Sequence, residues 1–211
     1  MVRGILANGE IYHVYSKSIA GYKIFSNEKD YERIRKVIQY YQYDGLKTKF
    51  SDRSFDSSNL LNKNKIVQII AYCFMPTHIH LTLKQLSDGG ITIFMRKALN
   101  SYTHYFNKKY NRKGPLWEGR FKSLLIVSDE QLLHLTRYIH LNPVTAYLVN
   151  KSEDWAPSSY KEYLNELDDS NKICCFREAL DIGSPRDYKK FVENNIEYQR
   201  ELSKIKSLTT D

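Results

Sequence analysis

From Ile11 to Ile19 the chain alternates apolar and polar residues, and this period of two predicts a strand. Asn27 then stands where a helix N-cap belongs, with Asp30 at the third helical position. Tyr31, Ile34, Val37, Ile38 and Tyr41 follow at helical spacing. Residues 42–64 are rich in Ser, Asp, Asn and Lys and have few apolar positions, which predicts a long polar loop or insertion. Ile66 to Phe74 and His78 to Leu86 are strand-like runs joined by Met75-Pro76-Thr77, an antiparallel hairpin. Asp88-Gly89-Gly90 breaks the chain before a long amphipathic helix from Ile91 to Tyr110. A short strand, Ser123 to Val127, precedes a helix capped by Ser128 with Asp129 and Glu130 in its first turn. That helix is expected to run to about Leu141 and stop at Asn142-Pro143, because proline disfavours helical geometry in the residue before it.

The order is strand, helix, hairpin, helix, strand, helix. A hairpin implies antiparallel pairing, and helices between strands imply a layered α+β fold of ferredoxin-like type, an antiparallel sheet with helices packed on it. Residues 1–164 read as one domain. Residues 165–211 read as a helical C-terminal extension, with Phe176 to Ile182 and Tyr188 to Ile205 as its helix candidates.

Charge sharpens this picture. The 211 residues hold 32 Lys plus Arg against 24 Asp plus Glu, a net charge of +8. All of the excess lies before residue 165, since 165–211 carries 8 basic and 10 acidic side chains. The densest run holds Lys108, Lys109, Arg112, Lys113, Arg120 and Lys122, with Tyr105, Phe106, Tyr110, Trp117 and Phe121 interleaved. Cations meet phosphates and aromatic rings stack on unpaired bases, at about 1–3 kcal/mol per base, so nucleic acid is the first partner to consider. A solvated basic loop has the same composition. No run approaches the ~20 apolar residues of a membrane span, and residues 1–10 lack the apolar run of a signal peptide. Cys73, Cys174 and Cys175 form neither a disulfide framework nor a CxxC pair, so a reduced, cytoplasmic protein is expected.

Two constellations carry possible chemistry. On a strand, His78 and His80 project to one face about 6.5–7 Å apart, while Ile79 points into the core. Two imidazoles so placed can take adjacent sites on one metal ion, although such a pair is more often plain polar surface. His134, Tyr138 and Asn142 follow an i, i+4, i+8 rule and share a helical stripe. A phenol four residues from an amide oxygen can present a nucleophile and a metal ligand together; a polar edge on a surface helix has the same spacing. Tyr102 and Tyr105 fall on the apolar face of their helix, whereas Tyr110 stands near the basic loop.

In order along the chain stand Tyr12-His13-Val14, Ile24-Phe25, Ala71-Tyr72-Cys73-Phe74-Met75-Pro76-Thr77-His78-Ile79-His80-Leu81, Gly114-Pro115-Leu116-Trp117-Glu118-Gly119-Arg120-Phe121-Lys122-Ser123, Arg137-Tyr138-Ile139-His140-Leu141-Asn142-Pro143-Val144, Trp155 and Ser158-Ser159-Tyr160. On these motifs the chain resembles the single-tyrosine HUH (IS200-like) transposases, most closely their REP-associated tyrosine transposase branch, over roughly residues 10–165. Lys17-Ser18 stands where such relatives often have Arg-Gly.

The resemblance implies a metal-dependent endonuclease and strand transferase acting on single-stranded DNA beside a hairpin. It casts Tyr138 as nucleophile, forming a 5′-phosphotyrosine, and His78, His80 and Asn142 as ligands of Mg²⁺ or Mn²⁺. Lys108, Lys109, Tyr110, Arg112, Lys113, Trp117, Arg120 and Lys122 become the expected DNA contacts, with His134 a possible assistant. A nucleoid-associated protein in the cytoplasm, monomer or homodimer, is the expected setting. Two other functions share the fold: a catalytically idle hairpin-binding or regulatory protein, and an RNA-binding ferredoxin-like domain, for which the His-Ile-His strand fits poorly.

Overall fold

A computed structural model describes residues 6–50, 60, 62–168 and 171–208. Part of the 42–64 segment (51–59 and 61) and part of the extension (169–170 and 209–211) lie outside the described residues. The architecture is the expected α+β layer fold. Strands β1 (Ile11–Lys17), β2 (Val67–Met75), β3 (His78–Gln85) and β4 (Lys122–Ile126) form one antiparallel sheet in the order β2-β3-β1-β4. Helices α1 (Glu28–Tyr41) and α2 (Gly90–Lys109) cover one face. Helix α3 (Asp129–Thr145) crosses the other, backed by α5 (Pro185–Glu193) and α6 (Ile196–Leu208), with the short α4 (Tyr160–Tyr163) beside them.

The main core lies between the sheet and α1/α2, where Val14, Ile79, Leu81 and Phe74 meet Ile34, Ile38, Phe94 and Tyr102. A bulge between Ile69 and Ala71 re-phases β2. Before it Val67 and Ile69 face this core; after it Tyr72 and Phe74 do, and Cys73 and Met75 turn to the α3 side. That shift brings Cys73 opposite His80 and Met75 opposite His78 on the face α3 covers. The outer edge of β2 is paired by later chain segments: Phe74 N–H donates to Pro157 O (2.9 Å), and the N–H groups of Ser159 and Cys175 donate to Tyr72 O (3.0 Å) and Ile69 O (2.9 Å).

Three local expectations change. Helix α3 runs through Pro143 to Thr145 rather than stopping at Leu141. Proline inside a helix costs about 3 kcal/mol, but Leu132, Ile139, Leu141 and Val144 are buried, each contributing roughly 1.5–3 kcal/mol, so packing wins. Phe176 to Ile182 is a turn instead of a helix; Phe176, Leu180 and Ile182 are buried in a second core with Tyr160, Tyr163 and Tyr188. The second helix candidate of the extension is two helices, divided at Asn194-Asn195. Among the described residues no helix is long and apolar enough to cross a membrane.

Candidate active site

Strand alternation and register assemble the site. In β1 the residues Tyr12, Val14 and Ser16 are buried, so His13, Tyr15 and Lys17 face α3. Tyr15 pairs with His80 and Lys17 with His78 across β1/β3; His13 pairs with Leu124 and Tyr15 with Lys122 across β1/β4. Helix α3 brings Leu135 and Tyr138 over this surface. Its seat is the small cluster of Cys73, Met75 and Ile139. The result is a cleft of about 930 Å³ lined by His13, Tyr15, Lys17, His78, His80 and Tyr138, among others.

Within the cleft the Tyr138 ring stands 5.9 Å from His80 and 6.4 Å from His13, edge-on to both. The His78 and His80 rings are 5.0 Å apart and nearly perpendicular. Thr77 Oγ1 lies 3.0 Å from His78 Nδ1, and His13 Nε2 lies 3.0 Å from His80 Nδ1. Both Nδ1 atoms are therefore engaged, which turns the two Nε2 atoms into the available donors. Such partners of the second ring nitrogen are how metal-binding imidazoles are oriented. Burial, aided by Lys17, lowers His78 to about 4, and burial alone lowers His13 to about 4. His80 falls well below the usual histidine value through burial, its two histidine neighbours and Lys17. All three rings are neutral at pH 7, the form that ligates metals.

The chemistry of this set fits a divalent cation. Among the described residues no group of three His, Cys, Asp or Glu side chains is placed to hold one by itself. Asn142, one turn beyond Tyr138 on α3, is not among the residues that line the cleft. Its amide opposes part of the rise that burial and Tyr15 impose on the Tyr138 phenol. The buried Asn142 Nδ2 nonetheless lacks a hydrogen-bond partner of good geometry among the described residues. Tyr138 itself keeps a pKa above that of a free phenol and is protonated at neutral pH.

The basic run divides. Arg120 and Lys122, with Lys17 and Glu118, line a smaller cleft of about 310 Å³ that adjoins the site through Tyr15 and Lys17. Lys108 and Lys109 line a separate cavity of about 1060 Å³ between α1, α2 and residues 46–50. Lys109 is paired with the buried Asp30 (2.6 Å), which also accepts from Tyr110 Oη (2.8 Å). Arg112 donates to Asn107 Oδ1 (3.1 Å) and Pro115 O (2.7 Å), while Lys113 is exposed. Trp117 is a core residue, 8% exposed, whose indole N–H donates to Leu99 O (3.3 Å), so its ring is covered by protein. His134 does not line the cleft: it is exposed, near Glu130 (3.8 Å) and Phe191.

His13, Tyr15 and Lys17 were not singled out as site residues by the sequence reading. The β1 alternation marks them as one face, but only the antiparallel register with β3 shows which residues they oppose.

The fold and this cleft define a class. The IS200-like transposase family matches over residues 37–142, and the chain belongs to that family. A curated relative from Haemophilus influenzae, assigned as a REP-associated tyrosine transposase, is 34% identical over 44% of this chain; the chain spans 58% of that relative's length. A solved structure of a REP-associated tyrosine transposase bound to a REP hairpin has the same fold, with a TM-score of 0.57 and 18% identity over 78% of this chain and 84% of its own.

Proposed function

We propose that the protein cuts and rejoins single-stranded DNA beside a hairpin, with Tyr138 as the nucleophile. The observation that carries this reading is the convergence, within one chain, of the Tyr138 ring and two neutral histidines whose Nδ1 atoms are already engaged, His80 standing 5.9 Å from Tyr138. In this reading His78 and His80 through Nε2, and Asn142 through Oδ1, hold Mg²⁺ or Mn²⁺. The bound ion supplies Lewis-acid polarisation of the scissile phosphate and stabilises negative charge on its oxygens. The Tyr138 phenol oxygen attacks phosphorus in line; the P–O3′ bond breaks, the phenolic proton is released and the 3′-oxygen leaves as a hydroxyl. The 5′-phosphotyrosine conserves the phosphodiester bond energy, so attack by another 3′-OH reverses the step and joins strands without ATP.

Lys17, Arg120 and Lys122 serve as phosphate contacts beside the cleft, with Lys108 and Lys113 reaching phosphates further away. Lys109, Tyr110, Arg112 and Trp117 serve the scaffold. One chain suffices for catalysis, and the setting is cytoplasmic DNA. The test is incubation with a single strand carrying a hairpin and flanking unpaired bases, with Mn²⁺ or Mg²⁺. Cleavage that leaves a free 3′-OH is expected. Tight hairpin binding without cleavage under either ion overturns the enzymatic part and leaves a binding module.

A further inference from the structure

Residues 136 and 140 of α3 are about 40° apart around the helix, and Tyr138 lies about 160–200° from both. Thr136 and His140 are fully buried on the side away from the cleft, where they meet α5 and the segment before α4. Tyr188 Oη donates to Thr136 Oγ1 (3.0 Å) and lies 2.8 Å from His140 Nδ1; His140 Nε2 lies 2.8 Å from Ser159 Oγ.

Proton counting orders these contacts. Thr136 gives its hydroxyl proton to Leu133 O (2.8 Å) and therefore accepts from Tyr188. Tyr188 has then used its one proton, so its oxygen accepts from Nδ1–H of His140. His140 Nε2, left as an acceptor, takes the proton of Ser159 Oγ at 2.8 Å in preference to Tyr72 O at 3.2 Å, and Ser159 Oγ in turn accepts from Tyr72 N–H (2.9 Å). The chain Ser159 to His140 to Tyr188 to Thr136 to Leu133 runs in one direction with every donor used, a fully satisfied buried network. It ties α3 to β2 on one side and to α5 on the other. Tyr188 lies outside residues 37–142, the span matched to the family.

We infer that His140 and Tyr188 are positioning residues that set the rotation of α3 and so hold the Tyr138 phenol beside His80. The consequence for catalysis rests on the reading of Tyr138 as nucleophile. The phenol oxygen stands roughly 8 Å from the helix axis, so a turn of about 10° moves it by more than 1 Å, enough to cost up to ~100-fold in rate. The C-terminal extension thereby belongs to the scaffold of the site.

The experiment is Tyr188→Phe, which keeps the ring against Tyr163 (4.8 Å) and removes both the acceptor of His140 Nδ1–H and the donor to Thr136 Oγ1. Cross-relaxation between the His80 and Tyr138 ring protons, measured by NMR, is expected to weaken at least twofold. Single-turnover adduct formation on hairpin DNA is expected to slow by about 10–100-fold, with hairpin affinity within twofold of wild type. A folded variant whose ring cross-relaxation stays within twofold of wild type overturns the inference, whatever its rate. Thr136→Val breaks the same chain from its other end and serves if Tyr188→Phe does not fold. Should wild type form no adduct, the cross-relaxation still decides the positioning, and the failure falls on the nucleophile assignment alone.

Discussion

Replacing Lys109 by methionine separates two roles for the basic run, because the change removes the charge and keeps most of the apolar stem. Asp30, in the first turn of α1, is fully buried. Its carboxylate accepts from Lys109 Nζ (2.6 Å), Tyr110 Oη (2.8 Å), Tyr105 Oη (2.9 Å) and Ser26 N (3.1 Å). Burial alone would raise its pKa, but these donors, Lys109 foremost, hold it below the usual carboxylate range; Asp30 in turn raises Lys109. Removing one partner of a buried pair costs about 3–5 kcal/mol when the other charge is left bare. Here three donors remain and the lysine side chain is 28% exposed, so the loss is nearer that of one charged hydrogen bond, about 2 kcal/mol. Urea unfolding is the assay, with a midpoint drop of about 0.7–1 M at an m-value of ~2–3 kcal/mol/M. Hairpin affinity and its salt dependence are expected to stay unchanged. Stability within 0.5 kcal/mol of wild type, together with a salt slope reduced by ~0.7–0.9, would refute the structural assignment and make Lys109 a phosphate contact.

Other consequences follow from the histidines. His13→Phe removes the partner of His80 Nδ1 while filling similar space, and is expected to weaken Mn²⁺ binding by about 10–100-fold in calorimetry; unchanged affinity would show that His13 does not orient His80. In acid, the folded state resists protonation, because His13 and His78 sit at about 4 and His140 at about 3, against an ordinary 6.5. Below pH 6.5 the unfolded chain therefore binds more protons, so stability is complete above that pH and falls as pH drops towards 4. By pH 5 the loss is about 2 kcal/mol for each of the three. Metal-free thermal unfolding from pH 7.5 to 5 should show a steady fall in Tm, and a flat profile would contradict the burial of these rings.

The fold was legible where local pattern decides it. Apolar alternation marked β1 and β3, the Met75-Pro76-Thr77 break marked the hairpin, and Asn27 and Ser128 marked helix starts. His78, His80, Tyr138 and Asn142 were legible as candidates because strand and helix periods place each pair on one face. What escaped the sequence depends on long-range packing. The place of His13 needs the β1/β3 register, the Asp30–Lys109 pair joins residues 79 apart, and the His140–Tyr188 contact joins residues 48 apart. Pro143 misled because a breaker near a helix end is overridden by buried neighbours. The run from Lys108 to Lys122 looked uniform in composition, yet it divides between core, scaffold and cleft rim.

If Tyr138 attacks phosphorus in DNA held at His78 and His80, the reaction leaves a covalent mark on that side chain. Its most direct measurement is peptide mass spectrometry of the protein after reaction with hairpin-bearing single-stranded DNA and Mn²⁺. A nucleotide adduct is expected on the peptide containing Tyr138 and is absent from Tyr138→Phe. An adduct on another tyrosine, or one that persists in Tyr138→Phe, would contradict it.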